Sequence, residues 1–218
     1  MNIIDILCNR VNFGGLRGSK IKYIVIHYTA GDGDTAMNNG RYFARENAGA
    51  SAHYFVDAKE IVRSVPKEYV AWHCGADQYI HPKCRNTNSI GIEMCSRIDR
   101  DGMYYFTEET MDNAIVLIRQ LMKKYDVPIE NVIRHYDVTG KTCPAPFVGA
   151  GQAEWEKFKE VIAMKRYNTI EEMPEWAKPT IQKLVDRGIL QGTGEGFDLS
   201  IESVRLLVIL DRAGNFDK

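Results

Sequence analysis

The sequence predicts an α/β fold, a central sheet flanked by helices, with a small helical piece at the C-terminal end. Three stretches carry that reading. "YIVIHY" sets Ile24, Val25 and Ile26 in a row, the β-branched run of a strand buried on both faces. "NSIGIEMCS" alternates Ile90, Ile92 and Met94 with Gly91, Glu93 and Cys95, the period of a second strand. From Thr107 onward, Met111, Ala114, Ile115, Ile118, Leu121, Met122 and Tyr125 share one helical face.

The remaining elements follow in order. The first strand ends at His27, and Gly31 and Gly33 break the pattern after it. "TAMNNGRYFAREN" reads as a weak helix. "SAHYFVDAKEIVRSV" reads as two short strands around a turn at Ala58–Lys59. In the long helix Glu108 and Glu109 occupy the first turn and Lys123 and Lys124 the last, as the helix dipole favours. Pro128 follows, then a strand "NVIRHY" ending at His135, then a helix in "AEWEKFKEVIAM". The pattern lapses into charged residues near Lys165–Glu172. This sets the expected boundaries: a domain over 1–164, a linker over 165–171 and a small helical domain over 172–218. Its helices are expected at Glu175–Arg187, with Pro179 in the first turn, and at Ile201–Arg212, with Ser200 as N-cap. Trp176, Ile181, Leu184 and Val185 are expected to face one way.

Composition narrows the function classes. Of 218 residues, 28 are Lys or Arg and 29 Asp or Glu, so no basic excess points to nucleic acid. No apolar run approaches the roughly 18 residues of a membrane span. The first residues, "MNIIDILCNRVNFGG", lack the basic start and cleavage site of a secretory signal, which implies synthesis and folding in a cytoplasm. Five cysteines, an odd number, argue against a disulfide framework and for buried thiols.

Chemistry concentrates in "IRHYDVTGKTCP", Ile133 to Pro144. Two predicted strands end in histidine, His27 and His135, and Cys143 lies eight residues after the second. Imidazole and thiolate are the preferred donors to zinc, and three protein ligands leave a fourth position open, the catalytic arrangement. The loop after His135 can fold back to deliver Cys143. Spacing alone leaves an alternative open: two satisfied histidines and one buried thiol.

"YIVIHYTA", "AHYFVD", "AWHCG", "NSIGIEM" and "RHYDVTGKTCPAPF" occur in this order. Together they resemble the zinc-dependent N-acetylmuramoyl-L-alanine amidases of type 2, the family of phage lysozyme-type amidases and peptidoglycan recognition proteins. The resemblance runs from about Ile21 to Phe158. It implies a mixed central sheet, a Zn2+ cofactor held by His27, His135 and Cys143, and peptidoglycan as substrate. The bond cut would be the amide between the lactyl group of N-acetylmuramic acid and L-alanine of the stem peptide. It further implies Glu93 as general base and Lys141 as stabiliser of the oxyanion. Their bland alternatives are a surface carboxylate and a solvated loop lysine. His53 is expected to contact substrate or to back the site, against the alternative of a core histidine. His73 resembles a position lining the substrate groove. Trp72 is expected in the core and His81 on the surface.

The last residues resemble one S-layer homology repeat through Trp176, the "DRGILQGTGEG" turn and Arg205. That implies binding to a cell-wall polymer, self-association, or simple packing. A lytic amidase of this size without a signal resembles a phage or prophage endolysin acting on the bacterial cell wall; a bacterial autolysin is the near alternative. A non-catalytic peptidoglycan-binding module and a zinc peptidase cutting within the stem peptide are the others.

Overall fold

The computed structural model describes residues 3–192 and 196–217. The chain divides into two compact units, 1–162 and 163–218. The first is a mixed α/β unit. Its elements run β1 (Ile3–Asp5), β2 (Phe13–Leu16), β3 (Tyr23–Tyr28), α1 (Ala36–Arg45), β4 (Tyr54–Val56), β5 (Ile61–Arg63), β6 (Tyr69–Ala71), β7 (Ser89–Met94), β8 (Arg97–Ile98), β9 (Tyr104–Tyr105), α2 (Glu108–Tyr125), β10 (Val132–Arg134), α3 (His135–Thr139) and α4 (Gln152–Ala163).

Six strands form the central sheet in the order β1-β5-β4-β7-β3-β10. β4 and β5 are the antiparallel pair expected around Ala58–Lys59; β4, β7, β3 and β10 run parallel. The parallel strands are buried on both faces, which is why "YIVIHY" carries no polar alternation. One face sets Ile24, Ile26, Ile90, Ile92 and Met94 against Ala114, Leu117, Ile118 and Leu121 of α2 and Trp155, Phe158 and Ile162 of α4. The opposite face carries Val25 and Ile133 with Cys74, Cys84 and Val138. On that side Ala36 of α1 also packs with Phe55 and Val62. All five cysteines are buried and free.

Local chemistry sets the ends. Thr107 caps α2, its hydroxyl accepting from the Thr110 N–H, and Asp126 ends the helix in the left-handed region. Thr35 caps α1 in the same way. The edge strand β1 escapes sequence patterning because it is only three residues long and includes Asp5. It is held on β5 by parallel pairing, and Asp5 meets Arg63 in a two-pronged ion pair at 2.6 and 2.7 Å. Arg17, just after β2, donates to the carbonyls of Lys67, Tyr69, Thr87 and Ser89, fastening the β2–β6 hairpin to the start of β7.

Several expectations are corrected. The strand expected to end at His135 stops at Arg134, and His135 opens α3. The cause is Asp137, whose carboxylate accepts from the Arg134 N–H and pairs with its guanidinium at 2.7 Å. Trp72 is 39% exposed rather than in the core.

The second unit contains β11 (Arg166–Tyr167), α5 (Lys178–Asp186), β12 (Leu199–Ser200) and α6 (Ile201–Arg212). Residues 165–171, expected as a linker, supply β11, which pairs antiparallel with β12, and Tyr167 is buried among Met173, Ala177, Ile181, Val204 and Val208. The polar composition that suggests a linker belongs to a two-stranded pair with few buried positions. The first helix starts at Lys178, later than expected, with Pro179 in its first turn; Ser200 caps α6. Trp176 precedes the helix and is 44% exposed, so it does not join Ile181 and Leu184. Of the "DRGILQGTGEG" turn, Thr193, Gly194 and Glu195 lie outside the described residues. No helix among the described residues is long and apolar enough to cross a membrane.

Replacing Thr107 with Ala removes the cap of the helix that covers the sheet. The expected cost is about 1 kcal/mol, read from the urea midpoint of the folded chain, whereas Thr107→Ser keeps the hydroxyl and the midpoint.

Candidate metal centre

The parallel pairing of β7, β3 and β10 puts their C-terminal ends on one edge of the sheet, where open α/β sheets bind ligands. His27 is the penultimate residue of β3 and stands opposite Glu93, the penultimate residue of β7. Arg134 pairs with Ile26, so His135 follows level with His27 one residue beyond the strand. Alternation directs Val25 and His27, like Gly91 and Glu93, away from the α2–α4 core.

Cys143 reaches this edge by a closed loop. Gly140 adopts φ +81°, the left-handed conformation that favours glycine, and its N–H donates to the Tyr136 carbonyl. The Tyr136 N–H in turn donates to the Cys143 carbonyl at 2.8 Å. Arg134 anchors the base of the loop: buried, it donates to the Phe147 carbonyl and Gln152 as well as to Asp137.

His27, His135 and Cys143 are all buried, and one donor atom from each lies within 4.8 Å of the others. Cys143 Sγ is 3.7 Å from His27 Nδ1. A tetrahedral ion with bonds of about 2.0–2.3 Å holds neighbouring donor atoms about 3.3–3.8 Å apart. The donor set and its spacing therefore suit a single metal ion with one position left for a ligand.

Glu93 stands beside this cluster, with Oε1 3.9 Å from His27 Nδ1 and its side chain 21% exposed. Oε2 is buried and has no hydrogen-bond partner among the described residues. Burial pushes the Glu93 carboxyl up to about 8; Asp34 adds to the rise and Lys141 opposes it. Burial also holds His27 well below the usual histidine range, with His73, His135 and Lys141 adding to the effect. His135 is lowered to about 4, again chiefly by burial, and the Cys143 thiol is pushed up to about 12 by burial and by Glu93. All three donors are thus pushed toward their neutral forms, the form in which an imidazole nitrogen is bare for a metal. Lys141 is exposed on the loop, two residues before Cys143, and its charge is felt at His27, His135 and Glu93.

The two other histidines of the expected site lie behind it rather than on its wall. His53 is fully buried; Nδ1 accepts from the Gly91 N–H and Nε2 lies 2.9 Å from the Arg17 guanidinium. It has neither open surface nor a spare ring atom for substrate. His73 is buried too, with Nδ1 3.0 Å from His27 Nε2 and Nε2 3.0 Å from Ser89 Oγ. His73 therefore touches the His27 ring directly. His81 accepts from the Lys83 and Cys84 N–H groups and shapes its own turn. Sequence reasoning passed over Ser89, Asp34 and Arg134. Ser89 shares the alternation of Gly91 and Glu93, which was the available signal.

The raised Glu93 value makes metal-free stability fall as pH climbs from about 4.5 toward 8, because the folded state holds a proton that the unfolded state releases. The lowered His135 value works at the acid end: its contribution is lost as pH falls from 6.5 toward 4. Glu93→Gln is expected to stabilise the metal-free chain, with a margin that grows between pH 6.5 and 8. Urea midpoints at both pH values check this, and a margin independent of pH contradicts it.

The chain matches the family described as N-acetylmuramoyl-L-alanine amidase over residues 17–146. It is 40% identical over 150 residues to the N-acetylmuramoyl-L-alanine amidase CwlL of Bacillus licheniformis, covering 64% of this chain and 40% of that protein. It is 33% identical over 199 residues to the N-acetylmuramoyl-L-alanine amidase BlyA of Bacillus subtilis strain 168, covering 85% of this chain and 53% of that protein. The match thus spans about half or less of each curated relative. A solved mutant endolysin from Bacillus subtilis is similar at TM-score 0.63 and 32% identity, over 75% of this chain and 99% of that one. With more than half of its residues matched, and with strand ends that gather two histidines, a cysteine and a glutamate, the chain belongs to the N-acetylmuramoyl-L-alanine amidase family.

Proposed function

We infer that the chain is a zinc-dependent N-acetylmuramoyl-L-alanine amidase of the endolysin kind. It would hydrolyse the amide between the lactyl group of N-acetylmuramic acid and L-alanine in peptidoglycan of the bacterial cell wall. The observation that carries this reading is the convergence of His27, His135 and Cys143 within 4.8 Å beside the Glu93 carboxyl, whose Oε2 has no hydrogen-bond partner among the described residues. The amidases and the endolysin among its relatives support the bond and the setting.

His27, His135 and Cys143 would hold the ion, with the thiol giving up its proton on binding. Zinc in that cradle supplies a Lewis acid that polarises the scissile carbonyl and makes water more acidic. Glu93 takes the proton of the attacking water. Its carboxyl is suited to this because no other group among the described residues claims Oε2, which leaves that oxygen free to take a proton. The same carboxyl can then return the proton to the leaving amine. Lys141 sets its ammonium at the rim, toward the oxygen on which negative charge develops. His53 and His73 brace the centre from behind. For residues 163–218 the reading is attachment to a wall polymer or self-association. The exposed Trp176, Ile189, Leu206 and Ile209 of that unit support a binding role.

Removing metal with a chelator is expected to abolish lysis of purified walls, and adding back zinc to restore it; full lysis by a metal-free preparation overturns the mechanism. Glu93→Gln is expected to keep its zinc while losing about 10²–10⁴-fold in kcat. Lys141→Ala is expected to lose about 10²–10³-fold, again with zinc retained. Loss of zinc in either variant would instead make the residue part of the cradle.

A further inference from the structure

We propose that His73 and Ser89 form a hydrogen-bonded relay that fixes the tautomer of His27, so that Nδ1, and not Nε2, presents its lone pair to the metal. This inference rests on the zinc reading above. The relay is positional and lies on the side of His27 away from Cys143.

The order of protons follows from its far end. The Arg85 carbonyl can only accept, and it lies 2.7 Å from Ser89 Oγ. Ser89 has one proton and gives it there. Its oxygen is then an acceptor toward His73 Nε2 at 3.0 Å, so His73 carries its proton on Nε2. With its ring proton on Nε2, His73 turns the lone pair of Nδ1 toward His27 Nε2 at 3.0 Å. His27 must donate across that contact, so its own lone pair sits on Nδ1, the atom 3.7 Å from Cys143 Sγ. A metal-binding histidine needs this arrangement: the ring N–H held by a partner, the other nitrogen bare.

The relay is built into one strand. Ser89, Gly91 and Glu93 share a face of β7, opposite Tyr23, Val25 and His27 of β3. Ser89 terminates the relay. Gly91 makes room for it: a Cβ there would lie 2.5 Å from His73 Cγ and 2.7 Å from His73 Nδ1. Glu93 faces the reaction. The backbone of His73 is held in turn, since Asn86 Oδ1 accepts from the His73 and Cys74 N–H groups at 3.2 and 2.8 Å. His73, Ser89 and His27 are all buried, so water does not compete for these contacts.

Two readouts test the relay without activity. In the metal-free wild-type chain, nitrogen-15 NMR of the histidine rings is expected to show His27 as the Nε2–H tautomer. Its appearance as the Nδ1–H tautomer overturns the proposal. Ser89→Ala is nearly isosteric and leaves His73 without its fixed acceptor. It is expected to bind zinc about 10–100-fold more weakly in competition with a chelator, to show a mixed His27 tautomer, and to keep the far-UV spectrum of the parent. Ser89→Thr retains the hydroxyl and is expected to recover the affinity. Equal zinc affinity in wild type and Ser89→Ala overturns the proposal. A wild-type chain that takes up no zinc fails the parent reading, and the relay as a metal device falls with it; the tautomer spectrum tells that failure from one of the relay itself.

Discussion

The parallel register of β3 between β7 and β10 is the constraint on which the rest depends. It sets His27 opposite Glu93 and brings His135 level with both. A shift of one residue in either pairing would turn these side chains toward the α2–α4 core and expose isoleucines in their place. The apolar face of the same strands guards against that shift. Ile24, Ile26, Ile90 and Ile92 are fully buried against two helices, so the packing that stabilises the sheet also fixes the chemistry on its other face.

What the register gathers is electrostatically costly by itself. Two imidazoles, a thiol and a carboxyl are withdrawn from water, and each is pushed toward its neutral form. Such a cluster does little for stability, and perturbed groups of this kind mark functional sites. The loop that closes the cluster is secured by bonds of its own. Arg134 and Asp137 lock its base and Tyr136 and Cys143 join across it, which keeps the thiol in place without a cation.

The candidate centre was legible because its residues sit at punctuation points. His27 ends an apolar run, Glu93 lies on a clean alternation, and Cys143 follows a glycine and a lysine in a short loop. The sheet core, the β4–β5 pair and the capped helix were legible for the same reason: their periods are unambiguous. Other features depend on partners distant in sequence. Nothing near Ser89 announces that it faces a histidine 16 residues earlier, and β1 is too short to show a period. Residues 165–171 look like a linker because a two-stranded pair buries few side chains, here Tyr167 on one strand and Ser200 on the other. His53 and His73 stand beside aromatic residues, Tyr54 and Trp72, and alternation says which neighbour turns inward but not what it meets there.

The most direct test of the account is mass spectrometry of the fragments released from purified peptidoglycan, with Cys143→Ser as control. Free stem peptides that begin at L-alanine, absent with the variant, are the predicted result. Fragments cut within the stem peptide, or tight binding to several wall types with nothing released, would contradict it.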